Sequence, residues 1–369
     1  MSKFLANQRW LTSIVVRIST LLIILFALKP APDLVIIGPQ QTVSTTLPVL
    51  GVHTRLTDEV EEWKIKRSLE MVREMGATTI VEFFPWAYYQ DDNKQVAWQH
   101  PDLVINHAHA QGLNVIARIG LTPGWARPEE TTLNYLDADG YADFAQFAAL
   151  FAERYKGKIT AIIVWNEPNL AFEWGYQPTT AADYVELLAI TAAAIRPINT
   201  DVLILGGALA PTLEPVGSPW GLNDLIFLDE MYQAGAADHM DGLAVHTYGF
   251  HFPPETEPAP DLLNFRRFEL YRDIMTQYGD ENSPVFITET GWNDHPRWTR
   301  AVRPNQRIDY TVRALTYLHN DVPWVETAAI WMFRTPAPTK SYMDAYTLVT
   351  PEFIEKPIYL ALQELAHGQ

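Results

Sequence analysis

Two glutamates stand where carboxylates could do chemistry. Glu167 lies in IIVWNEPN (162–169), directly after an apolar strand, and Glu289 ends another apolar strand in ITETGW (287–292). A single glutamate near a strand end more often pairs with an arginine, such as Arg118. Two carboxyl groups that face each other, one protonated and one ionised, can instead cleave a glycosidic bond. The pair therefore predicts a proton donor and a nucleophile that act on a sugar.

The two carboxyl groups of such a pair must differ in their surroundings. In enzymes that retain the configuration of the sugar, they lie about 5–5.5 Å apart, and the ionised group forms a covalent bond to the sugar. The other group donates a proton to the leaving oxygen, so the two pKa values have to be kept apart. We therefore expect Glu167 and Glu289 to face each other with different neighbours.

Eight apolar stretches of strand length could position these residues, at 49–53, 78–84, 114–120, 159–166, 201–207, 242–248, 284–290 and 326–333. Most are nearly continuous in hydrophobicity, which is typical of parallel strands covered on both faces. Segments that predict helices alternate with them, at 58–75, 98–111, 138–156, 179–196, 222–235, 261–278, 304–319 and 353–366. This alternation predicts an α/β fold, a (β/α)8 TIM barrel.

A doubly wound open sheet is the alternative to the barrel. That fold carries a Gly-rich phosphate loop after its first strand, whereas this sequence has GVHTRLTDE there. The barrel is therefore the predicted fold. Its first helix is predicted to run from Asp58, as N-cap, to Met75, with Gly76 as its stop.

In such barrels the site is built from the carboxyl ends of the strands and the loops that follow. Asn166 and Glu167 follow strand four, and Glu289 ends strand seven. Other polar or aromatic residues at or just after strand ends are His53, Trp86, Arg118, Trp125, His246, Tyr248 and Trp331. Strand five ends in GGALAP, whose glycines predict a turn of the chain rather than an anion site.

At these positions the sequence resembles a known superfamily. WNEPN (165–169) and ITETGW (287–292) are similar to the acid/base and nucleophile motifs of the clan A glycoside hydrolases. Those are retaining (β/α)8 enzymes with catalytic glutamates after strands four and seven. The resemblance covers the chain from about residue 48 to 369. It extends to β-xylosidases and β-glucanases, and the family within the clan stays open.

The resemblance implies a role for individual residues. Glu167 would be the acid/base and Glu289 the nucleophile of a double displacement on β-glycosidic bonds of oligo- or polysaccharides. Asn166 would bond the 2-hydroxyl of the sugar, a bond that strengthens in the transition state. Tyr248 would bond the nucleophile, and His246 would line the cleft.

Further substrate contacts are expected from aromatic and basic residues. Trp331 matches the aromatic residue that lies beneath the sugar at the site of cleavage. Arg118 is the candidate for an arginine beside the nucleophile. The remaining candidates, each as consistent with core packing as with cleft lining, are His53, Trp86, Trp125 and Trp292.

Two other functions fit parts of the pattern. A barrel that binds sugar without cleaving it would keep the cleft and lose the chemistry, but both glutamates are present. A metal-dependent hydrolase needs histidines and carboxylates clustered at the strand ends, and the sequence predicts no such cluster. We therefore expect no metal, no cofactor and a carbohydrate as the partner.

Composition excludes several classes of protein. A net charge of −17 argues against a nucleic-acid partner. The absence of cysteine excludes disulfides, thiolate zinc sites and cysteine nucleophiles. With 48% hydrophobic and 19% charged residues, the chain of 369 residues can bury a large core. The oligomeric state is left open.

The amino terminus predicts export. Three cations, Lys3, Arg9 and Arg17, precede the apolar run Ile18–Leu28, which is typical of a signal peptide. Residues 11–28 are also long enough for a membrane anchor, although Arg17 interrupts them. We therefore expect a signal peptide or anchor at 1–29, a linker at 30–47 and the catalytic barrel at 48–369. The barrel would then be extracellular, or anchored at the outer face of the cytoplasmic membrane.

Overall fold

The computed structural model describes residues 15–20, 36–335 and 338–369. The chain divides into two compact units, Met1–Gly38 and Pro39–Gln369. In the first unit, residues 15–20 are helical, while most of the predicted signal or anchor segment lies outside the described residues. Within the described ranges, no helix combines the length and apolar character needed to cross a membrane.

The second unit is a closed barrel of parallel strands in chain order. The strands are β1 (Leu50–His53), β2 (Thr79–Pro85), β3 (Asn114–Gly120), β4 (Ala161–Val164), β5 (Leu203–Leu209), β6 (Gly242–Tyr248), β7 (Val285–Gly291) and β8 (Val325–Trp331). The barrel closes where Leu50 of β1 lies opposite Ala328 of β8. The predicted TIM barrel is confirmed, and the open sheet is excluded because β8 pairs with β1.

Helices cover the outside of the barrel. They are α1 (Glu62–Met75), α2 (Trp86–Tyr89), α3 (Gln99–Ala110), α4 (Ala138–Arg154), α5 (Ala181–Ile195), α6 (Asp224–Gln233), α7 (Phe268–Gln277), α8 (Pro304–Asp321) and α9 (Pro357–His367). Gly76 ends α1 in the left-handed conformation, with a φ of 91°, and its N–H bonds the last turn.

Three predicted helix starts are wrong, and one of them is that of α7, which begins at Phe268 and not at residue 261. Asp58 does not cap α1. It ends a separate 3₁₀ turn, Leu56–Asp58, and its carboxylate pairs with Arg55 at 2.6 Å. The last helix begins at Pro357, not at residue 353. The residues before it form a turn that is closed by an antiparallel β-bridge between Val349 and Glu355.

Alternating side chains explain why the strands are apolar on both faces. One set, which includes Val81, Ile116 and Ile163, forms a cluster separate from the main core. Their sequence neighbours Ile80, Val115 and Ile162 belong to that main core. Successive residues of a strand point to opposite faces, so the first set fills the barrel interior and the second packs under the helices.

The stretch expected to be a linker is in part bonded to the barrel. Gln41 N–H donates to the Ala110 carbonyl at 2.7 Å, and Thr46 N–H donates to the Ala366 carbonyl at 2.7 Å. Leu47 is buried in the core. The barrel unit therefore begins before residue 48.

Candidate active site

The backbone after β4 turns sharply at the WNEPN segment. Trp165 and Glu167 have φ values of 72° and 45°, in the left-handed region that side chains rarely adopt. Trp165 N–H donates to the Ile119 carbonyl at 2.9 Å, and Glu167 N–H donates to the Ala208 carbonyl at 3.1 Å. These bonds fix a strained turn that leaves the side chains of Asn166 and Glu167 lining one cavity.

The neighbouring loop stabilises this turn. Asn169 is fully buried, and its side-chain amide bonds the backbone of Ala210 in both directions, at 2.9 and 3.0 Å. The GGALAP segment lies mostly within β5, so its two glycines are strand residues and not the predicted turn, and the segment contributes carbonyl acceptors to the turn after β4 through Ala208 and Ala210.

Glu289 lies on β7 opposite His246 of β6, and both its carboxylate oxygens have donors. Arg118 Nη1 donates to Oε1 at 2.7 Å, and Tyr248 Oη donates to Oε2 at 2.7 Å. The face of the Phe83 ring lies against the Arg118 guanidinium at 4.8 Å. Glu289 is therefore a buried carboxylate with a charged partner and a neutral hydrogen-bond donor.

His246 lies between the two glutamates. Its Nδ1 is 2.7 Å from Glu167 Oε1 and 3.7 Å from Glu289 Oε2. A carboxylate oxygen of Glu167, one of Glu289 and a ring nitrogen of His246 all lie within 4.8 Å of one another. The fold thus brings the carboxyl groups of β4 and β7 face to face.

The surroundings favour the ionised form of Glu289. Burial alone would raise the pKa of Glu289, but the electrostatic influence of His246, Arg118 and His53, together with the Tyr248 hydrogen bond, lowers it to about 2. Burial, followed by the charge of Glu289, raises the pKa of Tyr248 well above its usual value. Near neutral pH, Glu289 is therefore an anion and Tyr248 a protonated donor.

The side chains of the two glutamates line a cavity of about 350 Å³. This volume is at the lower end of the range for small-ligand sites. It is lined by Arg55, Phe83, Arg118, Gly120, Leu121, Asn134, Trp165, Asn166, Glu167, Glu173, Glu289 and Trp331. The predicted site residues Arg118, Asn166 and Trp331 are thus in the cavity wall with both glutamates. His246 and Tyr248 are not part of this wall. His246 bonds Glu167, and Tyr248 bonds Glu289.

His53 is fully buried beside Glu289. Its Nε2 is 3.5 Å from Glu289 Oε1, and its ring meets Trp331 edge-on, with centroids 4.7 Å apart. Burial, with the charge of Arg118, lowers the pKa of His53 well below its usual value. The ring is therefore neutral, and with Nδ1 donating to the Thr54 carbonyl at 2.8 Å, Nε2 is an acceptor.

Two predicted contact residues lie in the core instead. Trp86 is fully buried, packs between Phe144 and Phe147 and donates its indole N–H to Gln90 at 2.5 Å. It is the first residue of α2, so its side chain joins the helix layer.

Trp292 is the second. It is 2% exposed, packs on Phe265 and Tyr310 and donates its indole N–H to the Phe252 carbonyl at 2.8 Å. The partly buried Trp125 contacts the edge of Trp86, with centroids 5.4 Å apart. None of Trp86, Trp125 and Trp292 lines the cavity.

A third carboxyl in the cavity was missed by the sequence reasoning. Glu173 follows Glu167 by one short loop and lines the same wall. Burial, then the charge of Glu167, raises the pKa of Glu173 to about 7. Its position depends on the turn at Trp165 and Glu167. The one signal in the sequence is its place between two aromatic residues, Phe172 and Trp174.

The site contains a histidine–carboxylate cluster, which the sequence did not predict. Its members are Glu167, His246 and Glu289. These three groups offer ligand atoms of the kinds that bind divalent cations. Both oxygens of Glu289, however, already accept from Arg118 and Tyr248, and the Arg118 cation would repel a metal ion. The arrangement fits a pair of reacting carboxyls better than a metal centre.

The sequence of this chain matches one protein family. The family described as Cellulase (glycosyl hydrolase family 5) matches residues 43–325. A family 39 glycoside hydrolase from Bacteroides cellulosilyticus WH2 superposes with a TM-score of 0.69 at 19% identity, over 88% of this chain and 64% of that one. The chain thus spans somewhat less than two thirds of that relative.

Two further solved structures share the fold. A monomeric beta-xylosidase from Caulobacter crescentus CB15 superposes with a TM-score of 0.61 at 18% identity, over 88% of this chain and 69% of that one. An endo-1,4-beta-mannanase from Rhizomucor miehei gives a TM-score of 0.61 at 12% identity, over 90% of this chain and 97% of that one.

Proposed function

The chain belongs to the cellulase family, glycosyl hydrolase family 5, and on this premise we propose that it cleaves β-glycosidic bonds of oligo- or polysaccharides with retention of configuration. The observation that carries the proposal is the pair of opposed carboxyl groups, Glu167 and Glu289, with oxygens within 4.8 Å of each other. Retaining enzymes have carboxyls about 5–5.5 Å apart, whereas inverting enzymes need roughly 6.5–9.5 Å to admit a water molecule.

The different neighbours of the two glutamates support their separate roles. Glu289, ionised and bonded by Arg118 and Tyr248, is the proposed nucleophile. Its carboxylate attacks the anomeric carbon while Glu167 donates a proton to the departing glycosidic oxygen. A covalent bond between the sugar and Glu289 forms as the bond to the leaving group breaks.

The second displacement reverses the proton transfer. Glu167, now ionised, removes a proton from a water molecule, and the water oxygen attacks the anomeric carbon. The bond to Glu289 breaks, which releases the sugar and restores both groups. His246 Nδ1, next to Glu167 Oε1, supports this cycle because it can bond the carboxylate form of Glu167.

Three residues are proposed to orient the sugar. Asn166, in the cavity wall beside Glu167, is proposed to bond the 2-hydroxyl. Trp331 is half-buried and offers an apolar surface to the C–H face of a sugar ring. His53 is fully buried and is not part of the cavity wall, so its proposed part is to hold Trp331, whose ring it meets edge-on.

The test is hydrolysis of a panel of aryl β-glycosides and of β-glucan, xylan, galactan and mannan. The Caulobacter and Rhizomucor enzymes, a beta-xylosidase and an endo-1,4-beta-mannanase, place xylan and mannan in that panel. The initial product of the preferred substrate should have the β-configuration by proton NMR. Hydrolysis of none of the panel, or an α-configured initial product, would contradict the proposal.

We also propose that residues 1–29 export the chain or anchor it at the outer face of the cytoplasmic membrane. The support is the run of cations before Ile18–Leu28 in the sequence. The full chain with a carboxyl-terminal tag should fractionate with the membrane or outside the cell, and removal of residues 1–29 should leave it in the cytoplasm. Identical fractionation of the two forms would contradict the proposal.

A further inference from the structure

Aromatic rings form a closed circuit at the carboxyl ends of β6, β7 and β8. They belong, in order round the circuit, to Tyr248, Phe250, Trp298, Tyr342 and Tyr346. From Tyr248 round to Tyr248 again, neighbouring ring centroids are 6.4, 6.1, 5.4, 5.6 and 5.9 Å apart. Each distance is in the range of favourable aromatic contact. These five residues are termed the aromatic rim.

The aromatic rim adjoins the proposed catalytic pair through Tyr248. Tyr248 Oη donates to Glu289 Oε2 at 2.7 Å. The cavity wall comes mainly from residues in and after β1 to β4, and no member of the rim belongs to it. Because the rim follows the carboxyl ends of β6, β7 and β8, it lies at the same end of the barrel as the cavity. The rim therefore continues the site beyond Glu289.

Buried polar side chains fix the backbone of the rim. Arg307 of α8 is 4% exposed, and its Nη2 donates to the Tyr346 carbonyl at 2.5 Å. Asn293, which follows β7, is fully buried, and its amide donates to the Tyr342 carbonyl at 3.0 Å. The loop after β8 is thus bonded to α8 and to the loop after β7. Rings that are ordered in advance lose little entropy when a ligand binds.

The outer part of the rim is open to solvent. Tyr342 is 42% exposed, and Phe250 and Trp298 are partly exposed. The exposed Arg300 lies against the Phe250 ring, with its guanidinium 5.1 Å from the ring centroid. An aromatic surface can bind the C–H face of a sugar ring, and guanidinium N–H groups can donate to its hydroxyls. The rim therefore offers both kinds of contact that a sugar needs.

We propose that the aromatic rim is a sugar subsite beyond the cavity, where a further residue of a β-linked chain packs on Trp298 and Tyr342 and bonds Arg300. Core packing would bury such rings, as it buries Trp86 and Trp292, whereas the outer rings of the rim stay accessible. The inference rests on the proposed function, because it extends the same site. The preferred substrate is then an oligosaccharide or polysaccharide, rather than a glycoside of a single sugar.

The experiment compares a hexasaccharide of the preferred sugar with the β-glycosyl fluoride of the single sugar. The fluoride has no leaving-group sugar and no further residue, so the ratio of the two kcat/KM values measures the contribution of all outer contacts. Tyr342→Ala and Trp298→Ala should each lower this ratio by about three- to tenfold, the equivalent of one aromatic contact. Tyr342→Phe keeps the ring and should keep most of the ratio.

Tyr278→Ala is the matched control. Tyr278 is 40% exposed, and its ring stacks on Tyr232 with centroids 5.0 Å apart. It follows α7 at the opposite end of the barrel, so its replacement should leave the ratio unchanged. Arg300→Leu, at an exposed position, should lower the ratio and tests the inference even where an aromatic variant does not fold. An unchanged ratio in any folded rim or Arg300 variant with the ring or the guanidinium removed would overturn the inference.

Direct binding separates this inference from the proposed function. If wild type hydrolyses no substrate of the panel, the proposed function fails, and calorimetric titration with β-linked hexasaccharides of glucose, xylose, galactose and mannose still tests the rim. The affinity of Tyr342→Ala should then be lower than that of wild type and of Tyr278→Ala. Equal affinity in the three proteins, or no binding to wild type, would overturn the inference.

Discussion

Arg118 on β3 donates to Glu289 on β7 at 2.7 Å, across the mouth of the barrel and 171 positions along the chain. Both side chains are less than a tenth exposed. The Arg118 cation is one of the groups that lower the pKa of Glu289 to about 2. The ion pair therefore favours the ionised carboxylate that a nucleophile requires.

Replacing Arg118 should move the acid limb of the pH–activity profile. The proposed nucleophile Glu289 requires its ionised form, so activity should fall as the pH drops through its pKa, which is about 2 in the wild type. Arg118→Leu should raise that pKa by about 1–3 units, so the limb of kcat/KM should shift upward by that amount. Arg313→Leu, on the exposed face of α8, is the control and should leave the limb in place. A limb that does not move in Arg118→Leu would contradict the assigned role.

Tyr248→Phe should lower the rate without disturbing the fold. It removes the hydroxyl that donates to Glu289 Oε2 at 2.7 Å. A hydrogen bond to a charged group corresponds to a fall in kcat/KM of about 10- to 100-fold. Tyr232→Phe is the matched control, because that hydroxyl donates to the Asp280 carboxylate at 2.6 Å away from the cavity. Equal kcat/KM values for the two variants would argue against a special role for Tyr248.

Two tryptophans should respond differently to replacement by alanine. Trp331 lines the cavity, so Trp331→Ala should raise KM or lower kcat with a small change in the free energy of unfolding. Trp86 is buried between aromatic rings, so Trp86→Ala should reduce that free energy by about 3–5 kcal/mol. Urea unfolding and steady-state kinetics on both variants check the contrast. A loss of stability in Trp331→Ala together with a purely kinetic effect in Trp86→Ala would mean that the cavity wall is misidentified.

Removal of divalent metals should leave activity unchanged. Glu167, His246 and Glu289 could supply ligands, but Glu289 already bonds Arg118 and Tyr248. Activity is measured after dialysis against a chelator and again after addition of Ca²⁺, Mg²⁺ or Zn²⁺. A loss that one of these cations restores would favour a metal centre over the carboxyl pair.

The sequence predicts the barrel well because its signals are local. Continuous apolar runs are long enough to define the strands, and Gly76 marks the end of α1 through its left-handed backbone. The predicted N-cap at Asp58 fails because its carboxylate pairs with Arg55, a choice that the residue type does not reveal.

Candidate site residues at or directly after a strand end are predicted more readily than those farther along a loop. Glu289 and Trp331 are on the strands themselves, whose carboxyl ends define the site in any barrel. Trp292 follows the last residue of β7, Gly291, and its place in the core depends on its contacts with Phe265 and the Phe252 carbonyl, which are distant in the sequence. Glu173 depends on the left-handed turn at Trp165 and Glu167, which no local sequence pattern announces.

The most direct test of the central claim is to trap the sugar on its nucleophile. A 2-deoxy-2-fluoro aryl β-glycoside of the preferred sugar slows both displacements, and an activated leaving group lets the first one proceed. Mass spectrometry of the intact protein and of its peptides should then find one sugar per chain, bound to Glu289 and absent from Glu289→Gln. An adduct on another carboxylate, such as Glu173, or no adduct on an enzyme that hydrolyses the parent glycoside, would contradict the account.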